Sequence, residues 1–522
     1  VSVEQKHIGT LQQICRSVFS NSASAIVLQL DELEEELSYA DAEDLVCAIE
    51  KRLFQDGAAA GDRICSIAPL NLEAILLAWA CFRLGMVFVP LDHTWPEDML
   101  NFVIDETEPR IVFVLSSVSV RSGVTVVVYD ETSAQSQRLT FAEWLHNGYP
   151  FVCPSADELN ESDAAVILYT SGSTGRPKGV VLSQGSLIRS GLLVVELFEW
   201  SSKDVFLNLG DLHSMSGLRN TCIAPLIAGC RAVIASEKCR SEILLLPETI
   251  KRNGCTFVGV SPVVIRQLNM SASRFSLDSF ASLRAMLCTG GFLAPEQVRL
   301  FFNNFGRPVL NYYGLTETTG LCAGHSFATF DPDEISIGKE AGAIMQIVDH
   351  NDSQLPDNEV GHLRIKGPNL MLGYFKQLPL QDEVLKNGWY YTGDLAQRRP
   401  DGHFILRGRT RNIIKNIYTD LICLEEVELA LESHPTVLEV GIHTYQSEFD
   451  DERMAALIVL KESARQRPSK ILAEELRQFL HKAIGKRRVP HRFYFIDKLV
   501  RNSQGKLLRD KLGELIDDSY MA

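Results

Sequence analysis

Ala164-Ala-Val-Ile-Leu-Tyr-Thr-Ser-Gly-Ser-Thr-Gly-Arg-Pro-Lys-Gly179 is the stretch on which the reading of this chain turns. Its first seven residues form an apolar run of strand length that ends at a cluster of turn residues, which reads as a buried strand. The nine that follow are dense in glycine and hydroxyls and hold one lysine. Glycine lets backbone N–H groups turn toward an anion, Ser171, Ser173 and Thr174 add donors, and Lys178 brings charge; the set suits a polyphosphate. The spacing is not that of a Walker A loop. Four residues on from Gly172 or Gly175 there is no Gly-Lys-Ser/Thr, and Pro177 precedes the lysine.

Outward from this strand and loop, short apolar runs alternate with amphipathic segments. Residues 63–68, 86–90, 110–115, 231–236 and 255–261 read as strands; residues 71–84, 96–106 and 242–252 read as helices. Strands alternating with helices of this length require crossover connections, hence largely parallel sheets covered by helices. The expected fold class is α/β: a large N-terminal domain of parallel or mixed sheets covered by helices, plus a small mobile α+β C-terminal domain. No fixed-period repeat is visible, which excludes a solenoid or propeller.

The 522 residues, 46% hydrophobic and 22% charged, are ordinary globular composition in two to four folding units. The net charge of −15 argues against nucleic acid as the main partner, since phosphate backbones demand a basic face. Twelve cysteines without a Cys-x-x-Cys pair and without an N-terminal leader predict reduced thiols and a cytoplasmic location. The longest apolar stretch, residues 74–91, is broken by Arg83, Gly85 and Pro90, and reads as helix then strand, not as a membrane span. Charge changes along the chain. From Asn412 onward there are 17 Lys+Arg against 18 Asp+Glu, which leaves 34 against 48 before it. That tail carries a basic run of Lys482, Lys486, Arg487, Arg488, Arg492, Lys498 and Arg501. Residues 401–411 read as turn, strand and polar connection, so a boundary is expected between a 1–410 body and a 411–522 lid.

Tyr169-Thr-Ser-Gly-Ser-Thr-Gly-Arg-Pro-Lys-Gly179 resembles the signature of the AMP-forming adenylating enzymes: acyl- and aryl-CoA synthetases, adenylation domains and firefly-type luciferases. Further motifs follow in the family's order and span nearly the whole chain. They are Asn311-Tyr-Tyr-Gly-Leu-Thr-Glu317, Tyr391-Thr-Gly-Asp394, Arg407-Gly-Arg409 and Arg501-Asn-Ser-Gln-Gly-Lys506. The chemistry implied is in-line attack of a carboxylate on the α-phosphate of ATP, where catalysis is positioning plus charge stabilisation.

The resemblance implies these roles. Thr170, Ser171, Gly172, Ser173, Thr174, Gly175 and Lys178 hold the β- and γ-phosphates; Thr316 touches the α-phosphate. Glu317, with Thr174, holds Mg²⁺ through hard oxygen ligands. Tyr313, within Asn311-Tyr312-Tyr313-Gly314, stacks on adenine, and Gly290 and Gly291 let the backbone approach the base. Asp394 and Arg409 take the ribose, and Lys506 bridges the attacking carboxylate and the α-phosphate. His213 stands beside the acid pocket, whose expected walls are 258–262, 290–293 and 311–314. The amino-acid-activating relatives carry a Phe-Asp-x-Ser element here; Asp211-Leu-His-Ser is off it by one residue, which counts against an α-amino acid.

The resemblance implies that the small domain rotates about a hinge, with Arg411 as the expected pivot, and it weakens after that residue. Relatives that form CoA thioesters carry a glycine shortly after a lysine and a proline before the next helix. Here Lys415 is present, yet neither glycine nor proline follows before Glu425. The acceptor implied is a phosphopantetheine thiol, on CoA or on a carrier protein that the basic run would dock. Two alternatives stay open: amino-acid loading of a carrier protein, and a nucleotide-binding protein without ligase turnover.

Overall fold

In this computed structural model the described residues are 9–21, 26–30, 35–120, 123–130, 139–146, 158–170, 176–409, 413–415, 421–446, 452–501 and 507–516. They form two compact units. One comprises 1–345 with 365–390, the other 346–364 with 391–522. Residues 410–412 lie outside the described residues.

The first unit holds two large sheets. In the eight-stranded sheet, Val87–Leu91, Arg63–Ile67, Ile111–Val114, Thr125–Val128 and Leu139–Thr140 lie side by side and parallel. Ala164–Thr170 pairs parallel with Val87–Leu91 and antiparallel with Lys178–Ser183, so the two strands that flank the glycine-rich segment lie side by side. The nine-stranded sheet runs parallel from Val309–Tyr313 through Ala285–Cys288, Phe257–Val260, Val205–Asn208 and Arg231–Ile234 to Ile26–Leu30, with antiparallel pairs at both edges. The expected strands and crossover helices are present to within a few residues. At 242–252 a 3-10 turn, Ile243–Leu245, precedes the α-helix Leu246–Asn253, because Pro247 has no N–H to donate and suits only the first turn of a helix.

Helix Leu72–Leu84 shows how local signals and burial agree. Asn71 caps it by accepting from the Ala74 N–H at 2.8 Å, and Gly85, at φ 69°, ends it in the left-handed conformation. From Ala74 on, every residue of the helix is buried, as a crossover helix packed on several sides must be. Its one buried charge, Arg83, is held at 2.8 Å by Glu50 and also paired with Glu43. Trp79 is fully buried, meets Phe19 edge-on at 5.4 Å, and donates Nε1–H to the Cys222 carbonyl at 2.9 Å.

The second unit has its own core. Helices Leu424–Glu432 and Ser469–Ala483 pack with the sheet of Val437–Gln446, Glu452–Leu460 and Arg492–Phe495. Arg509 pairs with the buried Glu428, which also accepts the Ile442 N–H at 2.7 Å. Among the described residues ten cysteines are free thiols and no helix is long and apolar enough to cross a membrane.

Because Trp79 fills space between the helix 72–84 and the end of the helix Met215–Cys222, Trp79→Ala should cost about 3–5 kcal/mol and orphan the Cys222 carbonyl. Denaturant unfolding followed by circular dichroism will show this as an earlier transition. A shift of under about 1 kcal/mol would mean the cavity collapses and Trp79 is not a keystone.

Candidate active site

Strands that run parallel leave their C-terminal ends at one edge of a sheet, where open α/β folds bind ligands. The predicted residues follow such ends. The glycine-rich segment follows Ala164–Thr170, His213 follows Val205–Asn208, Gly290 and Gly291 follow Ala285–Cys288, and Gly314 to Glu317 follow Val309–Tyr313. Two polar links join the loops of the two sheets. Asp92, after Val87–Leu91, lies 3.7 Å from His213 Nε2, and the Leu70 N–H donates to Asp211 Oδ1 at 2.8 Å.

Tyr312 and Tyr313 are buried at the end of their strand, and Thr316–Thr318 then form a 3-10 turn. Gly314 is obligatory: a Cβ there would stand 2.3 Å from the Gly320 carbonyl carbon. Thr319, at φ 53°, and Gly320, at φ 84°, both take the left-handed conformation, a strained state for a β-branched residue. The turn is held down by Asn369, whose Nδ2 donates to the Thr318 and Leu321 carbonyls at 3.1 and 3.0 Å, while Thr319 Oγ1 donates to the Asn369 carbonyl at 2.5 Å.

Glu317 sits half-buried on this turn. Its Oε1 accepts the Tyr374 hydroxyl at 2.9 Å, and the Tyr390 hydroxyl donates to Tyr374 in turn. Burial pushes both tyrosines above their ordinary value, so the chain donates toward Glu317 and never competes with it as an anion. The Lys178 ammonium lies 5.8 Å from the centre of the Tyr374 ring. Among the described residues neither Lys178 nor Glu317 has an ion-pair partner, and the Thr316 hydroxyl has no hydrogen-bond partner. An ammonium, a hydroxyl and a hard carboxylate oxygen on adjoining segments suit a phosphate with its divalent cation. Thr170 ends its strand opposite Lys178. Ser171 to Gly175, Thr174 included, lie outside the described residues.

His213 is buried and immediately precedes Ser214, which caps the helix Met215–Cys222 by accepting the Gly217 N–H at 3.1 Å. Neither ring nitrogen of His213 has a hydrogen-bond partner, and His93 Nδ1 is likewise unpartnered. Asp211 Oδ1, by contrast, is occupied by the Leu70 N–H and by Arg240 at 2.6 Å. That occupation leaves Asp211 poorly placed to take a substrate amine. Gly290, at φ 88°, and Gly291 are exposed, with only Pro262 within reach of a Cβ on Gly291. Asn311 pairs with Cys288 across the sheet.

In the second unit, Asp394 and Arg409 stand opposite one another on paired antiparallel strands, Arg409 Nε 2.9 Å from Asp394 Oδ1. Gly393, at φ 72°, makes the bend before Asp394, and the Asp394 N–H donates to Thr392 Oγ1 at 3.0 Å. Lys415 ends the strand Ile413–Lys415, opposite Leu421. Lys506 and the pivot candidate Arg411 lie outside the described residues. Tyr374, Tyr390, Asn369, Asp92 and His93 were not legible as site residues. Each touches the site across a long loop, and only Gly373-Tyr374 after an apolar run offered a local signal.

The chain matches the family described as AMP-binding enzyme over residues 19–375 and the AMP-binding enzyme C-terminal domain over 426–506. It is 27% identical over 496 residues to an indoleacetate–CoA ligase of Aromatoleum aromaticum, covering 92% of this chain and 94% of that protein. A sulfoacetate–CoA ligase of Cupriavidus necator is 28% identical over 469 residues, covering 87% and 88%. The ATP-bound crystal structure of MatB from Rhodopseudomonas palustris superposes with a TM-score of 0.85 over 98% of this chain and 99% of that one, at 21% identity, a likeness of fold.

Burial holds the His213 imidazole below the ordinary histidine value of 6.5, with Asp92 and Asp211 opposing. The unfolded chain therefore takes up the proton first as pH falls, and stability drops between about pH 6.5 and the folded value. Histidine NMR should give His213 a midpoint below 6.5, and His213→Gln should flatten the acid limb of stability. A midpoint at or above 6.5 would mean that the aspartates outweigh burial.

Proposed function

The chain belongs to the AMP-binding enzymes, the AMP-forming adenylating superfamily, as an acid–thiol ligase, and on that premise we propose that it activates a small carboxylic acid with ATP and passes the acyl group to the thiol of CoA. In the first half-reaction a carboxylate oxygen bonds to the α-phosphorus and the bond to pyrophosphate breaks. In the second, a thiolate bonds to the acyl carbon and AMP leaves. The observation that carries the reading is the turn at Thr316 and Glu317 beside Lys178, with the Tyr390–Tyr374 hydroxyls aiming the Glu317 carboxylate.

Lys178 and Thr316 receive phosphate oxygens, and Ser171, Ser173 and Thr174 with the glycines between them complete the cradle. Glu317 and Thr174 are the residues that would hold Mg²⁺, which neutralises charge on the polyphosphate when bound. Tyr313 takes the adenine face. Asp394 takes the ribose hydroxyls, with Arg409 against the same carboxylate. Lys506 neutralises charge as the acyl–phosphate bond forms, and Lys415 serves the thiol half-reaction after a rotation about 410–411. His213, buried with neither ring nitrogen hydrogen-bonded, orients the acid. The occupied Asp211 disfavours α-amino acids. CoA is preferred to a carrier protein as acceptor because the relatives that match along nearly their whole length are CoA ligases. The exposed Lys482, Lys486 and Lys498 are the surface a carrier protein would use instead.

ATP–pyrophosphate exchange over a panel of fatty, aryl, short polar and α-amino acids tests the reading, followed by CoA and carrier proteins as acceptors. We expect exchange with a non-amino acid and thioester with CoA. Binding of ATP with no exchange on any acid would favour a nucleotide-binding protein without turnover. Lys506→Ala should lower exchange by about 10²–10³-fold, the scale of removing one stabilising group from a reacting phosphate, with the fold intact by circular dichroism. Lys415→Ala should spare exchange and slow thioester formation. Equal loss of both steps would remove the two-stage assignment.

A further inference from the structure

Arg219, in the middle of the helix Met215–Cys222, is fully buried. Buried arginines are ordinarily paired with carboxylates, as Arg83 is with Glu43 and Glu50. Arg219 has no carboxylate partner among the described residues. Its guanidinium is held by neutral groups: Nε donates to Asn220 Oδ1 at 2.8 Å, one terminal nitrogen to Ser190 Oγ at 3.3 Å, and the other to the Tyr312 hydroxyl at 3.1 Å. The Ser190 hydroxyl in turn donates to the Thr319 carbonyl.

These contacts converge on one short segment. Tyr312 enters the turn that carries Thr316 and Glu317, and Thr319 leaves it in a left-handed conformation that a threonine does not adopt unaided. Gly320, which completes the reversal, lies against the same guanidinium: a Cβ there would be 3.1 Å from the Arg219 nitrogen and 2.7 Å from Met215 Cγ. One planar fork thus grips the incoming strand and, through Ser190, the outgoing carbonyl. A fork with its donors in fixed directions can do this; a single ammonium cannot. Taking the cation out of water is costly, and the contacts that oppose the cost all hold the segment in one shape.

We infer that Arg219 is a positioning residue for ATP, clamping Tyr312 and, through Ser190, Thr319, so that the Thr316–Glu317 turn is preset before nucleotide arrives. This rests on the proposed nucleotide role of that turn. Preset geometry spares the nucleotide the ordering of the turn, so loss of the clamp weakens ATP binding and leaves the acid side, built on His213 and Asp92, nearly untouched.

The test compares the parent enzyme with Ser190→Ala and Arg219→Lys. ATP affinity is measured by calorimetry without acid, and the KM values for ATP and for the acid by pyrophosphate exchange. Ser190→Ala deletes one hydroxyl and keeps the buried charge, so it remains informative if Arg219→Lys does not fold. Both variants should bind ATP roughly tenfold more weakly, with the ATP KM raised to match and the acid KM changed by less than about twofold. Parental ATP affinity in Ser190→Ala, or equal rises in both KM values, would overturn the inference and leave Arg219 as a packing residue. If the parent itself binds no ATP, the nucleotide reading of the turn falls and this inference falls with it.

Discussion

Parallel strand pairing is the constraint from which the candidate site follows. Six consecutive strands of each sheet run in the same sense, and each return journey is made by a helix or a long connection. The carboxyl ends of the strands therefore gather at one edge of each sheet, and whatever follows a strand is delivered there. The glycine-rich segment, His213, Gly290 with Gly291, and the Thr316–Glu317 turn lie far apart in sequence. Each is the first polar segment after a buried apolar strand. The acidity of the chain is no obstacle to an anionic ligand in such a place, because a few fixed donors and one lysine act at short range.

Polar groups within the first unit are used in two ways. Where stability is the issue they are paired conventionally, as in Arg83 between two glutamates. Around the turn they are arranged to define shape: Asn369 spans the Thr318 and Leu321 carbonyls, and two tyrosine hydroxyls in series point toward Glu317. Hydroxyl donors orient the Glu317 carboxylate without neutralising its charge, as the proposed role toward a cation requires. The same logic extends to Arg219, whose neutral partners spread its grip over two segments.

The second unit arranges its groups by register. Asp394 and Arg409 face each other because their strands pair antiparallel with a bulge at Leu395/Ala396, and the left-handed bend at Gly393 turns the chain before Asp394. Glu428, forced upward from its ordinary carboxylate value by burial, is countered by Arg509 and by the Ile442 N–H. This internal ion pair lies three residues beyond Lys506 in sequence and ties the C-terminal segment into the unit's core.

What the sequence determined by itself was periodic or local. The α/β class was legible from strand and helix periods, because burial on both faces leaves continuous apolar runs. The helix at 71–84 was legible from its apolar run, and the adenylating family from motifs whose residues are close in sequence. Tertiary structure alone decided which distant side chains meet. No spacing pairs Tyr374 and Tyr390 with Glu317, or Asp92 with His213, and nothing in Leu218-Arg-Asn220 distinguishes a clamp from a surface arginine. Those contacts arise from strand order and crossover, which bring together residues up to more than a hundred positions apart; local propensity carries no record of them.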